Sequence, residues 1–166
     1  MDQPKREDYP PYPPSWGGDL QGWEDLCQAC GRCCHSNIIF SNASLSYLGE
    51  TASCKYLADD GSCSVYEERF NCNKNCWPIT VHVINNTLPT GCAYEPFCDK
   101  TMTKPHFEAE TPEQLEKLLR EESALKASMF LGAVAADVTP DQYIEFFVKR
   151  ITDKEFRERY EAAIDL

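Results

Sequence analysis

Length, composition and charge exclude several classes of protein. The chain has 166 residues, enough for one ordinary domain or two small ones. Its 27 Asp and Glu against 16 Lys and Arg give a net charge of −11, so it lacks the basic surface that nucleic acid or an anionic membrane requires. No stretch approaches the roughly 20 apolar residues that span a bilayer, and no apolar run marks a secretory signal. We therefore expect a cytoplasmic protein whose partners are neither nucleic acid nor membrane.

The first predicted segment is a proline-rich arm over residues 1–22. Five prolines lie within its first 14 residues, interleaved with tyrosine and followed by Trp16. This composition favours an extended, polyproline-like backbone, and the aromatic side chains would let part of it lie against a domain. A short helix is expected to begin near Asp19 and to bury Trp23 and Leu26 just before the first cysteine.

The second predicted segment, residues 23–105, holds all ten cysteines and few long periodic stretches. Brief strands are expected over residues 37–40 and 79–84, the second with an imperfect alternation of apolar residues. A region this poor in long elements cannot build a large core and needs cross-links to hold its loops. In the cytoplasm thiols stay reduced, so bound metal is the expected cross-link. A disulfide framework is the alternative, since the number of cysteines is even.

The third segment, residues 106–166, has no cysteine and is rich in helix formers. Capping boxes, in which Thr caps a helix and Gln or Glu three residues later reaches back, are expected at Thr111 with Gln114, Thr139 with Gln142, and Thr152 with Glu155. They predict helices from Pro112 to about Ala127 or beyond, from Pro140 to about Ile151, and from Asp153 to about Ile164. The expected core positions are Leu115, Leu118, Leu119, Leu125, Tyr143, Phe146, Phe147, Ile151, Phe156, Tyr160 and Ile164.

Four of the thiols lie within eight residues, at Cys27, Cys30, Cys33 and Cys34. The Cys-x2-Cys spacing brings two sulfurs within reach of one metal, and Gly31 permits the positive φ of a tight turn. That half-site is typical of tetrahedral zinc. Extension of the run to Cys33 also suits an iron–sulfur cluster, although the x3-Cys-Pro continuation of bacterial ferredoxins is missing. Because neighbouring side chains diverge, Cys33 and Cys34 would serve two sites, or one of them would pack instead.

Three ordered segments carry a resemblance to a known family. They are Trp23-Glu24-x-Leu26-Cys27-x2-Cys30-Gly31-x-Cys33-Cys34, then Cys54-x2-Leu57 with Gly61-x-Cys63-x2-Tyr66-x2-Arg69, and finally Leu88-Pro89-x2-Cys92-Ala93-Tyr94. On these residues the chain resembles the bacterial CxxCxxCC proteins, which are described as zinc- or iron-chelating. The resemblance covers about residues 23–95 and leaves the helical segment unmatched.

The resemblance implies eight metal ligands: Cys27, Cys30, Cys33, Cys34, Cys54, Cys63, Cys76 and Cys92. Eight thiolates suit two four-coordinate sites, or one cluster and one zinc ion. Cys72 competes with Cys76, because it lies where other members carry a cysteine after an Arg-Pro pair, although here Phe70 replaces the proline. Cys98 falls outside the matched segment, where an extra ligand and an unligated thiol are the alternatives.

Two further groups are candidates for a role near the metal. His35 directly follows Cys34, and imidazole suits both zinc and iron; His82 and His106 are weaker candidates. Tyr66 and Arg69 would lie one helical turn apart and could pair, either as a structural contact or as a donor that tunes a thiolate.

The sequence thus predicts an α+β protein in which a metal-stapled, irregular region with short strands packs against a C-terminal helical region. We expect a metal-binding protein with a structural or redox role that holds zinc or an iron–sulfur cluster. One alternative is an iron-dependent enzyme with an open coordination position. Another is an adaptor that binds a protein partner through its acidic helices.

Overall fold

The computed structural model describes residues 9–73, 76–98 and 104–164, and its fold is α+β. The sheet consists of β1 (Ser36–Ile39), β2 (Ser44–Tyr47) and β3 (His106–Ala109). The α-helices are α1 (Leu20–Glu24), α2 (Arg69–Cys72), α3 (Ile79–Ile84), α4 (Pro112–Glu121), α5 (Ser123–Ala135), α6 (Pro140–Thr152) and α7 (Lys154–Ile164). None of the helices in these ranges combines the length and the apolar character needed to cross a membrane.

The chain divides into two compact units, each made of two separate stretches. The first unit is Met1–Cys33 with Lys55–Thr103, and the second is Cys34–Cys54 with Lys104–Leu166. A stretch that contains Cys34 and Cys54 thus belongs with the helices. The predicted division into an arm, a cysteine-rich region and a helical region stays a prediction.

The second unit is built on the three-stranded sheet. β1 runs antiparallel to β2, with Ile38 opposite Leu45, and β2 runs parallel to β3, with Leu45 opposite Phe107. Since side chains alternate along a strand, these three residues share one face, and that face packs with the helices. The strand predicted over residues 37–40 is confirmed, one residue earlier.

Local capping sets the starts of the long helices. Thr111 and Thr139 form the two predicted capping boxes, each with Pro in the first turn. The third predicted cap is wrong. Asp153, not Thr152, accepts the hydrogen bond from the Phe156 N–H, at 2.9 Å, while the Thr152 hydroxyl donates to the carbonyl of Val148. Thr152 is still the last residue of α6, so the next residue makes the turn and caps α7.

The predicted helix through Ala127 is interrupted. Glu122 is extended, with φ −74° and ψ 116°, and it separates α4 from α5. The break folds α5 back onto α4, which one straight helix could not do, so that Leu119 and Leu125 bury in the same core.

Most of the predicted core positions of the helices are buried or partly buried. Phe146 is the exception at 37% exposed, and Ile144 is buried instead. The Phe146 ring still makes edge contacts with Phe156 and Tyr160. The side chain of Ile164 lies outside the described part of the molecule.

The first unit has an aromatic core around Trp23, which is fully buried as expected at the end of α1. The Trp23 ring lies 4.6 Å from that of Tyr94 and 5.6 Å from that of Trp16. Part of the proline-rich arm packs here too, since the Thr80 hydroxyl donates to the Pro11 carbonyl at 2.8 Å. The first eight residues of the predicted arm lie outside the described ranges.

The strand predicted over residues 79–84 is wrong, because this segment is the helix α3. It begins after Pro78 and ends where the Asn85 side chain donates to the Val81 carbonyl, at 2.8 Å. Asn86 follows with a positive φ of 52°. Six residues are too few for alternation to distinguish strand from helix, and burial of one helical face overrides the β-branched composition.

Candidate functional site

Four thiols line one cavity of about 230 Å³ in the first unit. Cys27, Cys30 and Cys33 come from the loop after α1, and Cys92 comes from the loop after α3. The rest of the lining is largely apolar, with a guanidinium added by Arg32; it includes Ile79, Pro89, Ala93 and Tyr94. The structure thus brings together four of the eight predicted ligands.

Positive φ angles and a close backbone contact shape the loop that carries the first three thiols. Ala29 and Gly31 have φ of 49° and 71°, which curls the chain between the cysteines. The turn that ends at Gly61 packs against it: a Cβ at Gly61 would collide with the Ala29 carbonyl. Cys63 pairs with Leu57 across this turn, so the turn supports the loop.

Two hydrogen bonds join the Cys92 loop to the first cysteine loop and to the helix α1 that precedes it. The Arg32 guanidinium donates to the Thr90 carbonyl at 2.7 Å, and the Tyr94 hydroxyl donates to the Trp23 carbonyl at 2.9 Å. The Cys92 N–H closes its own turn by donating to the Pro89 carbonyl at 3.1 Å. The polar bonds therefore fix the spacing of the two loops around the cavity.

Two groups in the cavity wall, Cys92 and Tyr94, have raised pKa values. Burial raises the pKa of the Cys92 thiol, and negative charge on Cys30 and Cys27 raises it further. Burial likewise raises the pKa of Tyr94, with smaller contributions from the charges of Cys27 and Glu24. A bound cation would reverse this balance by stabilising thiolates, so its binding would release protons.

The donor set suits a thiophilic metal, because thiolates bind zinc, copper(I) and iron–sulfur clusters. Within the described ranges, however, no three Cys, His, Asp or Glu side chains converge closely enough to form a ready-made ion site. The thiols therefore surround a space rather than meet at a point.

The remaining predicted ligands lie elsewhere in the described chain. Cys34 and Cys54 belong to the second unit, where the Cys54 N–H donates to the Cys34 carbonyl at 2.7 Å. In the first unit, Cys72 ends α2 and the Cys76 N–H donates to the Asn73 carbonyl at 3.1 Å. The eight-ligand set, including the choice between Cys72 and Cys76, stays a prediction.

Cys98 is a packing residue in the described structure. It is only 8% exposed and belongs to the aromatic core around Trp23. This environment favours the unligated alternative for its thiol.

The histidines are outside the described lining of the cavity. His82 lies on α3 with its Nδ1 3.1 Å from the Thr87 hydroxyl, and burial lowers its pKa to about 4. His106 lies on β3 with its Nδ1 2.8 Å from the Ser44 hydroxyl. His35 belongs to the second unit. The contacts of His82 and His106 favour structural roles over ligation.

The expected pair of Tyr66 and Arg69 is confirmed, and Glu24 completes it. The Arg69 guanidinium lies 3.8 Å from the Tyr66 ring centroid and 3.8 Å from the Glu24 carboxylate. The Tyr66 hydroxyl also donates to that carboxylate. Glu24 ends α1, and the Cys27 N–H donates to its carbonyl at 3.2 Å. The cluster therefore anchors the start of the cysteine loop.

Sequence reasoning missed the roles of Arg32 and Tyr94. Both lie within two residues of a predicted ligand, and that proximity was the available signal. Their partners are 58 and 71 residues away along the chain, so local pattern could not identify the contacts.

The fold and cavity describe a cysteine-rich α+β protein, and it is similar to several bacterial proteins. It is 37% identical over 78 residues to a UPF0260 protein of Shewanella pealeana, which covers 46% of this chain and 53% of that protein. A UPF0260 protein of Vibrio vulnificus is 32% identical over 85 residues, covering 45% and 52%. One of Yersinia pestis is 34% identical over 74 residues, covering 43% and 50%.

The chain spans about half the length of the curated relatives that it matches. Their shared name attributes no ligand or activity to them. No family model matches the chain, and no solved structure does so.

Proposed function

We propose that this is a cytoplasmic metal-binding protein whose metal is held by Cys27, Cys30, Cys33 and Cys92. The observation that carries the proposal is the common cavity of these four thiols, which come from two loops. The resemblance to the CxxCxxCC proteins supports the same chemistry. The metal would supply the cross-link that an irregular region with short elements needs, and in a reducing compartment the thiols stay available for it.

The chain's own residues would prepare the site. Arg32 and Tyr94 hold the Cys92 loop beside the first loop, and the Glu24 cluster anchors the chain just before Cys27. Apolar side chains such as Ile79 form part of the cavity wall, while the Cys27 and Cys30 thiols stay accessible from solvent. A structural role follows directly from the cross-link, and a redox role is open to the same site if the metal is iron.

The test is elemental analysis of the full chain purified without oxygen. We expect zinc or iron in stoichiometric amount, and its loss in the separate variants Cys27→Ser, Cys30→Ser, Cys33→Ser and Cys92→Ser. The matched control is Cys98→Ala, which removes a thiol from the aromatic core and should keep the metal. Wild-type protein free of zinc and iron, or the same metal content in all four variants, would contradict the proposal.

The Cys92→Ser variant also separates the iron-enzyme alternative from the main proposal. Retention of stoichiometric mononuclear iron by the other three thiolates would indicate a site with an open coordination position. Loss of the metal supports a ligand set closed by Cys92.

A further inference from the structure

We infer that the cavity holds a single 4Fe–4S cluster rather than a mononuclear ion. The inference rests on the proposed function and adds the class of cofactor to it. Three observations support it: the two loops from which the four thiols come, the volume of the cavity that they line, and the positive charge of Arg32 in its lining.

The origin of the thiols matches the way such clusters are bound. In bacterial ferredoxins, a Cys-x2-Cys-x2-Cys run supplies three ligands of one cluster, and the fourth cysteine of the motif serves the other cluster. A chain with one cluster therefore needs no fourth cysteine in the run, but it needs one remote cysteine beside it. Here the run is Cys27, Cys30 and Cys33, and Cys92 lines the same cavity from a distant loop. The absence of the x3-Cys-Pro continuation is therefore compatible with one bound cluster.

The cavity that the thiols line has room for a group larger than one ion. A zinc–sulfur distance of about 2.3 Å places tetrahedral sulfurs roughly 3.8 Å apart, and the space between them holds one ion only. The cavity that contains the four thiols in its lining has a volume of about 230 Å³. An engineered protein cavity of about 150 Å³ already accepts benzene, so this one has room for a group of several atoms.

The wall of the cavity suits an anionic cluster. Four thiolates around a 4Fe–4S core leave net negative charge, and the Arg32 guanidinium in the lining opposes it. Arg32 stays fixed because it donates to the Thr90 carbonyl at 2.7 Å. Cys27 and Cys30 are exposed, whereas Cys33 and Cys92 are half-buried, so a cluster here would be partly open to solvent, one of the features that set the potential of such clusters. The Arg32 guanidinium thus places a positive charge in the lining although the chain as a whole has a net charge of −11.

The test is the iron and acid-labile sulfide content of the full chain, purified without oxygen and then incubated with iron(III), sulfide and dithiothreitol, which supplies the two electrons that convert four iron(III) to the 4Fe–4S core. We expect four iron and four sulfide per chain, a brown colour, and the Mössbauer spectrum of a 4Fe–4S centre. Cys92→Ser should lose at least one iron per chain, whereas Cys98→Ala should match the wild type.

The other outcomes separate this inference from the proposed function. Stoichiometric zinc without sulfide, iron without sulfide, or two iron with two sulfide would each overturn the cluster and leave a metal site at these thiols. A full cluster in Cys92→Ser would overturn the assigned ligand set. Absence of every metal from the wild type would overturn both statements. Should a variant fail to fold, the composition of the wild-type protein still decides the identity of the cluster.

Discussion

The Tyr94 hydroxyl donates a hydrogen bond of 2.9 Å to the Trp23 carbonyl, joining two segments 71 residues apart. Trp23 lies just before the first cysteine loop, and Tyr94 follows Cys92 by two residues. Tyr94 is 3% exposed, so the bond is shielded from water. Together with the hydrogen bond from Arg32 to the Thr90 carbonyl, this buried contact sets the distance between the two sources of thiols.

Tyr94→Phe should weaken both the fold and the metal site. It removes the hydroxyl, so the Trp23 carbonyl loses the hydrogen bond from Tyr94. The expected cost is about 1–2 kcal/mol in the free energy of unfolding. Urea denaturation measures that cost, and transfer of metal to a chelator measures the site. Tyr160→Phe, on α7 in the second unit, is the matched control and should change neither. Equal behaviour of the two variants would show that the Tyr94 bond has no role in placing Cys92.

Arg32→Gln should loosen the metal with little effect on folding. The side chain is only partly buried, so its loss costs little in the fold, but the Thr90 carbonyl loses its charged donor. Substitution of a residue that orients a metal ligand typically costs about 10- to 100-fold in affinity. Competition with a chelator measures this change, and Lys55→Gln, which removes a cation elsewhere in the same unit, is the control. An affinity equal to that of the wild type would refute the positioning role.

Gly61→Ala should disrupt the first cysteine loop. Gly61 has φ +83°, and a Cβ there would collide with the Ala29 carbonyl. Gly91→Ala is the matched comparison, since Gly91 has φ +79° but no atom within 4 Å of the added Cβ. Both variants bear backbone strain of about 1 kcal/mol, and only Gly61→Ala adds the steric clash, so it should be less stable by a further 1–3 kcal/mol or so. Thermal unfolding compares them; equal losses would mean that the contact with Ala29 is unimportant.

His82 should make the protein less stable in acid. Burial lowers its pKa to about 4 from an ordinary value of 6.5, so the folded state keeps the imidazole neutral. Below pH 6.5 the unfolded chain binds the proton more readily, and the free energy of unfolding falls progressively until about pH 4. The shift corresponds to at most about 3 kcal/mol.

The variant His82→Gln, whose side chain can still reach the Thr87 hydroxyl, should lose this part of the pH dependence. Denaturant titrations of both proteins between pH 4 and pH 7 measure the difference between their free energies of unfolding. Any loss of metal at acid pH affects both proteins alike and cancels in this difference. Parallel pH profiles for the two proteins would exclude a contribution from His82.

The helical segment was the most predictable part of the fold. The starts of α4 and α6 follow from Thr-Pro capping boxes, whose hydrogen bonds lie within four consecutive residues. The break at Glu122 was not predictable in the same way, because it depends on the packing of α5 back onto α4. The change of α3 from an expected strand to a helix has a similar origin, since burial decides the state of a short apolar segment.

The sequence by itself determined the residues of the first cysteine loop: a run of three thiols at Cys-x2-Cys-x2-Cys spacing, in an acidic chain. Only the tertiary structure decided that Cys92 lines the same cavity, that Cys98 packs in the aromatic core, and that Cys34 and Cys54 belong to the other unit. The physical reason is the separation along the chain between the residues that interact. Spacing within a loop acts through a few backbone angles, whereas the meeting of two distant loops depends on the burial of Trp23 and on hydrogen bonds such as that of Tyr94, which form only when the chain is folded.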